Sequence, residues 1–286
     1  MKKILVTGAN GQLGQCLQKI SSQFEEFEFI FTDSETLDIT NKEEVNDFFW
    51  QNAPDFCINA AAYTAVDLAE TDIEKAFLVN ADGAENLAEA CAENNAQFIH
   101  VSTDYVFDGE NNLAYTEEDF TNPLGVYGAS KLAGDELALE VNPCSVILRT
   151  SWVYSEFGKN FVKTMLNLFA TKEELSIVAD QFGQPTNAND LAEAIMKIIK
   201  SEKITPGIFN FSNLGRISWF DFAEKIAELS DAKIKLNAIE TSQYPTPAKR
   251  PKNSVLDLDK ISKTYAIQLK PWEESIEDCV QILQNN

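Results

Sequence analysis

Three side chains between residues 98 and 131 have the types and the spacing of a proton-delivery site. Thr103 follows the apolar run Phe98–Val101, which predicts a buried strand whose carboxyl end opens into a ligand cleft. Tyr127 and Lys131 lie four positions apart in a segment of helical character, so both occupy one helix face. We expect the Lys131 ammonium to sit beside the Tyr127 phenol and to lower its pKa from about 10. Such a tyrosine suits general acid–base work, although the spacing alone also fits a solvated lysine near a half-buried tyrosine.

The first predicted strand and the turn after it indicate a nucleotide site. Residues 3–7 (K-I-L-V-T) predict a first strand, and a glycine-rich turn follows them directly before a helix that runs to about residue 20. In this context the glycines permit a tight turn, a close approach of backbone N–H groups to a pyrophosphate, and close packing of helix on strand. The helix N-terminus then faces the anion, with a ligand-free glycine turn as the alternative. The residues assigned to this part of the cofactor site are Gly8, Gly11, Gln12, Leu13 and Gly14.

Two further turns are placed to bind the rest of a dinucleotide. Asp33 ends the second predicted strand, residues 27–32, where an acidic side chain hydrogen-bonds the adenosine ribose and favours NAD over NADP. A surface aspartate that opens a turn is the alternative. Small residues after the third predicted strand, 56–59, let the backbone lie close to the nicotinamide, although they also suit helix packing. The residues of this second turn are Ala60, Ala61, Ala62, Tyr63 and Thr64.

Composition and charge exclude several classes of function. The chain has 286 residues, 44% of them hydrophobic, and a formal net charge of −22, which argues against nucleic-acid binding and against an anionic membrane surface. No apolar run approaches the length of a membrane span, and the N-terminus leads into a strand instead of a signal-peptide core. The five cysteines are scattered and lack metal-ligand spacing, which predicts a reducing cytoplasm. The single histidine, His100, lies inside the apolar strand before Ser102, which argues against a Ser-His-Asp triad, rules out a two-histidine metal site and predicts a core residue.

The alternation of strands and helices over the first 150 residues predicts an α/β fold with a Rossmann-type, doubly wound parallel sheet. After Trp152 the alternation loosens. We therefore divide the chain into an NAD(P)-binding domain, residues 1–151, and a smaller C-terminal substrate-binding α/β region, residues 152–286, some of whose segments return to the first domain. A single helix is predicted from Ile73 to Asn94, and its Asn80 amide is expected to be structural, with an active-site contact as the alternative.

Two features of the second region suit a substrate with a sugar and a phosphate. Trp152 follows the fifth predicted strand and offers a flat apolar face to the C–H groups of a sugar ring, with hinge packing as the alternative. Lys249, Arg250 and Lys252 concentrate positive charge in an acidic chain. An arginine fork matches the geometry of phosphate oxygens, although a proline-rich surface loop would also carry such charges.

Together, these motifs resemble those of the extended short-chain dehydrogenase/reductase family. The shared features are G-x-x-G-x-x-G at 8–14, T-D-Y at 103–105 and Y-x-x-x-K at 127–131. The segments A-Y-T-A-V-D-L-A-E, S-T-D-Y-V-F-D-G, R-T-S-W-V-Y, D-Q-F-G-Q-P-T and R-P-x-N-S narrow the resemblance to a branch that reduces nucleotide-linked keto sugars, and they extend it over essentially the whole chain. It implies reduction of the 4-keto group of dTDP-4-dehydro-L-rhamnose by NADPH or NADH, giving dTDP-L-rhamnose for cell-surface polysaccharide.

The resemblance also implies a role for individual residues. Tyr127 would protonate the developing alkoxide, Lys131 would lower the Tyr127 pKa and hold the cofactor ribose, and Thr103 would polarise the carbonyl. Asp38 and Ile39 would flank the adenine, and Val101 would lie at the cofactor. The residues expected at the substrate are Thr103, Asp104, Tyr105, Trp152 and Arg250.

Two other functions stay open at this point. One is a nucleotide-sugar epimerase or dehydratase of the same family, which would return the hydride and consume no NAD(P)H. The other is a non-catalytic NADP-binding subunit resembling the regulatory β subunit of methionine adenosyltransferase. Some members dimerise through Mg²⁺ held by glutamates, but no such ligands are identifiable here, and Cys16 stands where one is expected. We expect a monomer or a homodimer with a nucleotide-sugar substrate and with no nucleic-acid or membrane partner.

Overall fold

The computed structural model describes residues 1–285 of the chain, and its strands are short and mostly buried. In chain order they are β1 (Lys2–Thr7), β2 (Phe27–Phe31), β3 (Phe56–Asn59), β4 (Gln97–Thr103), β5 (Val146–Thr150), β6 (Val153–Tyr154), β7 (Glu174–Val178), β8 (Phe182–Gly183), β9 (Thr186–Asn187), β10 (Gly207–Asn210), β11 (Ile217–Ser218) and β12 (Lys235–Ile239).

Helices alternate with these strands through the first half and cluster in the second. They are α1 (Gln12–Ser21), α2 (Lys42–Asn52), α3 (Val66–Ala69), α4 (Ile73–Phe77), α5 (Gly83–Glu93), α6 (Val126–Val141), α7 (Phe161–Phe169), α8 (Ala188–Ile199), α9 (Trp219–Leu229), α10 (Asp259–Tyr265) and α11 (Trp272–Gln284). Short 3₁₀ turns lie at Asp104–Val106 and Thr241–Gln243. Within residues 1–285, no helix has both the length and the apolar character needed to cross a membrane.

Six strands form the central sheet, and the predicted Rossmann-type fold is confirmed. Their order is β10-β5-β4-β3-β1-β2, and each neighbouring pair is parallel. From β1 the chain moves outward to β2 and then returns to the other side of β1 at β3. The strand order therefore reverses between β1 and β3, and the carboxyl ends of these two strands open the crevice where such sheets bind ligands.

Alternate residues of the central strands build two separate apolar cores, one on each face of the sheet. Ile4, Ile58 and Ile99 pack with α1 and α8 on one face. Leu5 and Cys57 pack with α2, α5 and α6 on the other. Because a parallel sheet is covered by helices on both faces, its strands read as continuous hydrophobic runs, as β3 and β5 do.

Part of the second half of the chain belongs to the central sheet. β10 pairs with β5, and apolar residues of α8 join the core that contains α1. The rest forms small two-stranded pairings, β6 with β9, β8 with β11 and β7 with β12, around a third core that includes Phe222 and Trp272. The division between residues 151 and 152 stays a prediction.

The prediction of one regular α-helix from Ile73 to Asn94 is wrong in one respect. A π-helical turn, Leu78–Asp82, separates α4 from α5 within a continuous helical run. The Asn80 side chain in this turn accepts a hydrogen bond from the Tyr63 backbone N–H at 2.8 Å and donates to the Ser130 hydroxyl at 2.9 Å. A π turn contains one residue more than an α-helical turn, and here this turn carries the Asn80 side chain that bonds to Tyr63 and Ser130. Asn80 therefore has the structural contacts expected of it, which join the helical run to α6 and to the turn after β3.

Candidate active site

The glycine turn after β1 leaves a helix N-terminus free to bind an anion. Gly8 has φ +68°, in the region that favours glycine, and the Gly11 N–H donates to the Gly8 carbonyl at 2.9 Å. A Cβ on Gly14 would lie 2.4 Å from the same carbonyl, so α1 can approach β1 this closely only with glycine there. No side chain caps the first turn of α1. Its backbone N–H groups are thus the donors that a pyrophosphate requires.

A cavity of about 380 Å³ extends from this turn along the carboxyl ends of β1 and β2. Of the predicted cofactor residues, Gly8, Gly11, Asp33, Asp38, Ile39, Ala60, Ala61 and Ala62 line it. The Asp33 carboxylate accepts hydrogen bonds from the Asn10 amide at 2.6 Å and from the Thr36 hydroxyl at 3.0 Å. These bonds, with that of Thr36 the strongest, lower the pKa of Asp33, so a negative charge stands in the cavity. Its shape and its donors fit the adenosine half of a dinucleotide.

Two groups of predicted cofactor residues lie apart from this cavity. The Gln12 amide donates to the Val153 carbonyl at 3.2 Å and accepts from Asn160 at 2.8 Å, so its side chain connects α1 with the C-terminal region. Gln12 can therefore reach a phosphate only through its backbone. Tyr63 and Thr64 are not in the cavity lining, and the Tyr63 hydroxyl donates to Asp72 at 3.1 Å.

The structure brings Thr103 and Tyr127 together. Thr103 ends β4, where its hydroxyl donates to Oδ1 of Asp104 at 3.0 Å and accepts from the Tyr105 N–H at 3.2 Å. The Thr103 side chain also interacts with that of Tyr127, which lies in the first turn of α6, and this interaction lowers the Tyr127 pKa against the larger effect of burial. A Cβ on Gly128 would lie 2.2 Å from the Tyr105 carbonyl, so this glycine permits the close approach of α6 to the end of β4.

The prediction that Lys131 contacts the Tyr127 phenol is wrong. Lys131 Nζ instead lies 3.0 Å from His100 Nε2 and donates to the Val101 carbonyl at 2.8 Å. Although the two residues share a helix face, the long lysine stem carries its nitrogen across to β4. Burial raises the pKa of Tyr127 to about 12 and lowers that of Lys131 to about 8. The backbone carbonyl of Val101 accepts this hydrogen bond from Lys131. A role for Val101 at the cofactor stays a prediction.

Sequence reasoning missed most partners of Lys131. His100 is fully buried, as predicted for a core histidine, but it also contacts this lysine. Asp135 lies one helical turn after Lys131 and accepts from Arg149 Nε at 3.3 Å. The four-residue spacing of Lys131 and Asp135 could have indicated their proximity. The pairing of Asp135 with Arg149 on β5 depends on the fold and had no local indication.

Asp104 is the most perturbed carboxyl group near Thr103. It is buried, and this burial raises its pKa to about 7, against hydrogen bonds from Ser254 and Thr103 that favour the charged form. Tyr105 follows it, and its ring meets the Tyr127 ring edge-on with centroids 5.7 Å apart. Burial also raises the pKa of Tyr105. A buried carboxyl group that titrates near neutral pH is a common feature of active sites.

Trp152 and Arg250 lie on one narrow crevice, where their side chains already have partners. Trp152 stacks on Trp219 with ring centroids 3.5 Å apart and an interplanar angle of 9°. Arg250 Nη2 donates to Asp67 Oδ1 at 2.9 Å, and its other nitrogen donates to the Ala248 carbonyl at 3.1 Å. One face of the predicted sugar-stacking ring is therefore covered, and the predicted phosphate fork is paired with a carboxylate. The residues lining this crevice are Tyr105, Trp152, Gln181, Trp219, Arg250, Pro251 and Ser254.

Among residues 1–285, no three His, Cys, Asp or Glu side chains form a group that could hold a metal ion. Cys16, where the sequence suggested that a ligand was missing, is buried in the core with α1. Burial raises the pKa of its thiol to about 12. The structure thus supplies no ligand set for the Mg²⁺ considered above.

Comparisons with known proteins agree with the predicted resemblance. The family model described as the RmlD substrate binding domain matches residues 1–285. A dTDP-4-dehydrorhamnose reductase from Aggregatibacter actinomycetemcomitans is 44% identical over 288 residues, which cover 97% of this chain and 98% of the relative. A dTDP-4-dehydrorhamnose reductase structure from Clostridium acetobutylicum has a TM-score of 0.94 at 43% identity and covers 99% of both chains.

A second solved dTDP-4-dehydrorhamnose reductase, from Bacillus anthracis, is in complex with NADP. It has a TM-score of 0.95 at 39% identity, covering 99% of this chain and 100% of that one. Both the family model and the identity to these relatives extend over nearly the full length of the chain. The family resemblance predicted from the sequence is thereby confirmed, and the chain belongs to the RmlD substrate binding domain family.

Proposed function

We propose that the chain reduces the 4-keto group of dTDP-4-dehydro-L-rhamnose to the alcohol of dTDP-L-rhamnose. The bound nicotinamide cofactor, NADPH or NADH, supplies the hydride. The observation that carries this proposal is the interaction of the Thr103 and Tyr127 side chains at the ligand-binding edge of the sheet that also carries the glycine turn. Two hydroxyl groups in contact can both meet one carbonyl oxygen, which a reductase needs and a binding subunit does not.

The two hydroxyl groups have separate tasks. Tyr127 donates its proton to the oxygen as negative charge develops on it, and its high pKa keeps that proton in place until then. Thr103 stabilises the same charge with a second hydrogen bond, for which its hydroxyl proton turns from Asp104 to the substrate oxygen. Lys131 approaches the cofactor ribose from the same helix as Tyr127.

The rest of the crevice suits the other parts of the substrate. Trp152 offers the face not covered by Trp219 to the sugar ring. Arg250 exchanges its bond to Asp67 for one to the diphosphate, whose geometry matches its fork. Asp33 and the residues beside it hold the adenosine half of the cofactor, and its charge favours NADH over NADPH.

The proposal is tested by the loss of reduced-nicotinamide absorbance with enzymatically prepared dTDP-4-dehydro-L-rhamnose, run in parallel with NADH and NADPH. Oxidation at a rate proportional to enzyme supports the reductase and also identifies the preferred cofactor. Turnover of a nucleotide sugar without net oxidation would indicate an epimerase or a dehydratase. Tight cofactor binding without cofactor oxidation and without turnover of the nucleotide sugar would indicate a binding subunit.

We further infer a cytoplasmic enzyme that takes its substrate from solution, as a monomer or a homodimer. The support for the compartment is the absence of any disulfide among the five cysteines, four of them buried and Cys144 exposed. Light scattering at several concentrations measures the oligomeric state.

A further inference from the structure

Three polar side chains lie in a row across adjacent strands beneath α6. In the sheet register Thr7 of β1 is the partner of Asn59 of β3, and Asn59 is the partner of His100 of β4. The Thr7 hydroxyl donates to Asn59 Oδ1 at 2.7 Å, and Asn59 Nδ2 lies 3.0 Å from His100 Nδ1. His100 Nε2 lies 3.0 Å from Lys131 Nζ. All four side chains are buried, with His100 fully inaccessible to solvent.

The orientation of the Asn59 amide is fixed by a backbone group. The N–H of Ala61 lies 3.1 Å from Asn59 Oδ1, and a backbone N–H can only donate. If the amide were turned over, its NH₂ group would face this N–H without an acceptor. Asn59 Oδ1 is therefore the acceptor, and Nδ2 is the donor that faces His100.

This orientation determines where His100 carries its proton. Because Asn59 Nδ2 donates, His100 Nδ1 must accept and is unprotonated. Burial keeps the pKa of His100 well below its usual value, so the ring is neutral. A neutral imidazole with a bare Nδ1 has its proton on Nε2. His100 thus presents an N–H to Lys131, not a lone pair.

The Lys131 nitrogen then lies between a donor, the His100 Nε2–H, and an acceptor, the Val101 carbonyl. It donates to the Val101 carbonyl at 2.8 Å, and an amine would accept from His100 through its lone pair. An ammonium group has no lone pair and would oppose the His100 N–H. Asp135 on the same helix is the carboxylate that acts on Lys131, and it is engaged with Arg149. Burial lowers the pKa of Lys131 to about 8 even though the Asp135 charge acts to raise it, and the His100 donor adds to this preference for the amine.

We propose that His100 is a positioning residue for Lys131. Fixed by Asn59 with its proton on Nε2, it holds Lys131 as an uncharged amine away from Tyr127, and the amine takes up one proton from solvent when the cofactor binds. The charge that assists the Tyr127 proton transfer is then present only in the loaded enzyme. This consequence depends on the proposed reductase function, whereas the proton position on His100 does not.

The proton position can be measured directly because the chain has a single histidine. Labelling histidine with ¹⁵N gives NMR signals from His100 alone, and couplings to the ring hydrogens distinguish its two nitrogens. We expect a protonated Nε2 and a bare Nδ1 at every pH from 6 to 9, without cofactor. A proton on Nδ1, an average of both forms, or an imidazolium would overturn the proposal.

The Asn59→Asp variant tests the cause of this proton position. A carboxylate at residue 59 can still accept from Ala61 and Thr7, but it faces His100 with an acceptor. His100 Nδ1 should then become protonated. In Lys131→Met the proton should stay on Nε2, while the Nε2 resonance moves because its acceptor is gone. A bare Nδ1 in folded Asn59→Asp would contradict the role of Asn59.

Proton uptake on cofactor binding tests the state of Lys131. Calorimetric titrations of the protein with NADPH or NADH, in buffers of different ionisation enthalpy, give the number of protons bound with the cofactor. NADH is included because it lacks the 2′-phosphate, which could itself take up a proton. At pH 8 we expect uptake of at least about half a proton per site, since the Lys131 pKa is about 8 or lower. Lys131→Met should take up none. In His100→Gln the uptake should fall, because a glutamine can turn its carbonyl oxygen toward an ammonium.

The controls separate this proposal from the proposed function. Circular dichroism checks that each variant is folded. No uptake in the wild-type protein at pH 8, or the same uptake in folded His100→Gln, would overturn the proposal even if the chain is a reductase. Conversely, a chain without reductase activity could still give the expected His100 spectrum.

Discussion

The Thr103 hydroxyl donates to Oδ1 of the buried Asp104 side chain over 3.0 Å, at the carboxyl end of β4. Burial raises the Asp104 pKa from 3.8 to about 7. The folded chain therefore binds a proton at this site that the unfolded chain has lost by about pH 4. Asp104 makes the fold sensitive to pH in a window that includes neutrality.

We expect Asp104→Asn to be increasingly stabilised relative to the wild type as the pH rises. Since the folded pKa is raised, ionisation of Asp104 lowers the free energy of unfolding as the pH rises from about 4 through 7, and asparagine does not ionise. The difference between the two proteins should grow by about 2 to 3 kcal/mol from pH 5 to pH 8. Denaturant unfolding at both values measures it. A constant difference would contradict a raised pKa.

Tyr127→Phe removes the proposed proton donor and leaves the ring. We expect kcat to fall by roughly 10² to 10⁴, the usual contribution of a general acid. The affinity for NADPH should be nearly unchanged, because the Tyr127 side chain interacts with Thr103 and not with the glycine turn. The matched control is Tyr265→Phe, a tyrosine that donates to the Thr205 carbonyl far along the chain. Full activity of Tyr127→Phe would rule out the mechanism.

Thr103→Val keeps the shape of the side chain and removes its hydroxyl. The variant loses the bond to Asp104, the bond that caps the following turn and the interaction with Tyr127. We expect kcat to fall by roughly 10² to 10³, as for the loss of one donor to a developing oxyanion. Thr103→Ser should recover most of the activity. Full activity of Thr103→Val together with a loss in Thr103→Ser would mean that the methyl packing matters and the hydroxyl does not.

The sequence predicted those features of the site that depend on local pattern. Gly8, Gly14 and Thr103 could be placed because a strand, a turn and a helix follow one another, and residues at strand ends share one edge of a parallel sheet. Helical spacing likewise put Tyr127 and Lys131 on one face. Each of these positions is set by fewer than about ten neighbouring residues.

The features that were missed depend on contacts between distant segments. The row formed by Thr7, Asn59 and His100 exists only because β3 lies between β1 and β4, and sequence alone gave no register for those strands. The length of the Lys131 stem then allowed a partner on β4 to compete with Tyr127. A four-residue spacing fixes a helix face but not the end point of a flexible side chain.

Arg250→Ala should weaken binding of the nucleotide sugar more than the chemical step. Arg250 is positioned by Asp67 and the Ala248 carbonyl, and a diphosphate would gain a bidentate donor there. We expect KM for the substrate to rise roughly 10- to 100-fold, in line with about 1.4 to 3 kcal/mol for charged hydrogen bonds. Lys249→Ala removes an exposed neighbouring cation and is the control for general charge. Equal effects of the two variants would leave no specific role for the arginine fork.

Gly183→Ala tests whether the position of the Trp152 ring matters for the substrate. A Cβ on Gly183 would lie 2.6 Å from this ring, which also stacks on Trp219 at a centroid distance of 3.5 Å. The ring must shift, so we expect a higher KM for the nucleotide sugar and a changed tryptophan fluorescence. Cofactor affinity should not change, because neither residue lines the adenosine cavity. A shifted fluorescence spectrum with an unchanged KM would mean that Trp152 packs the hinge and does not contact the sugar.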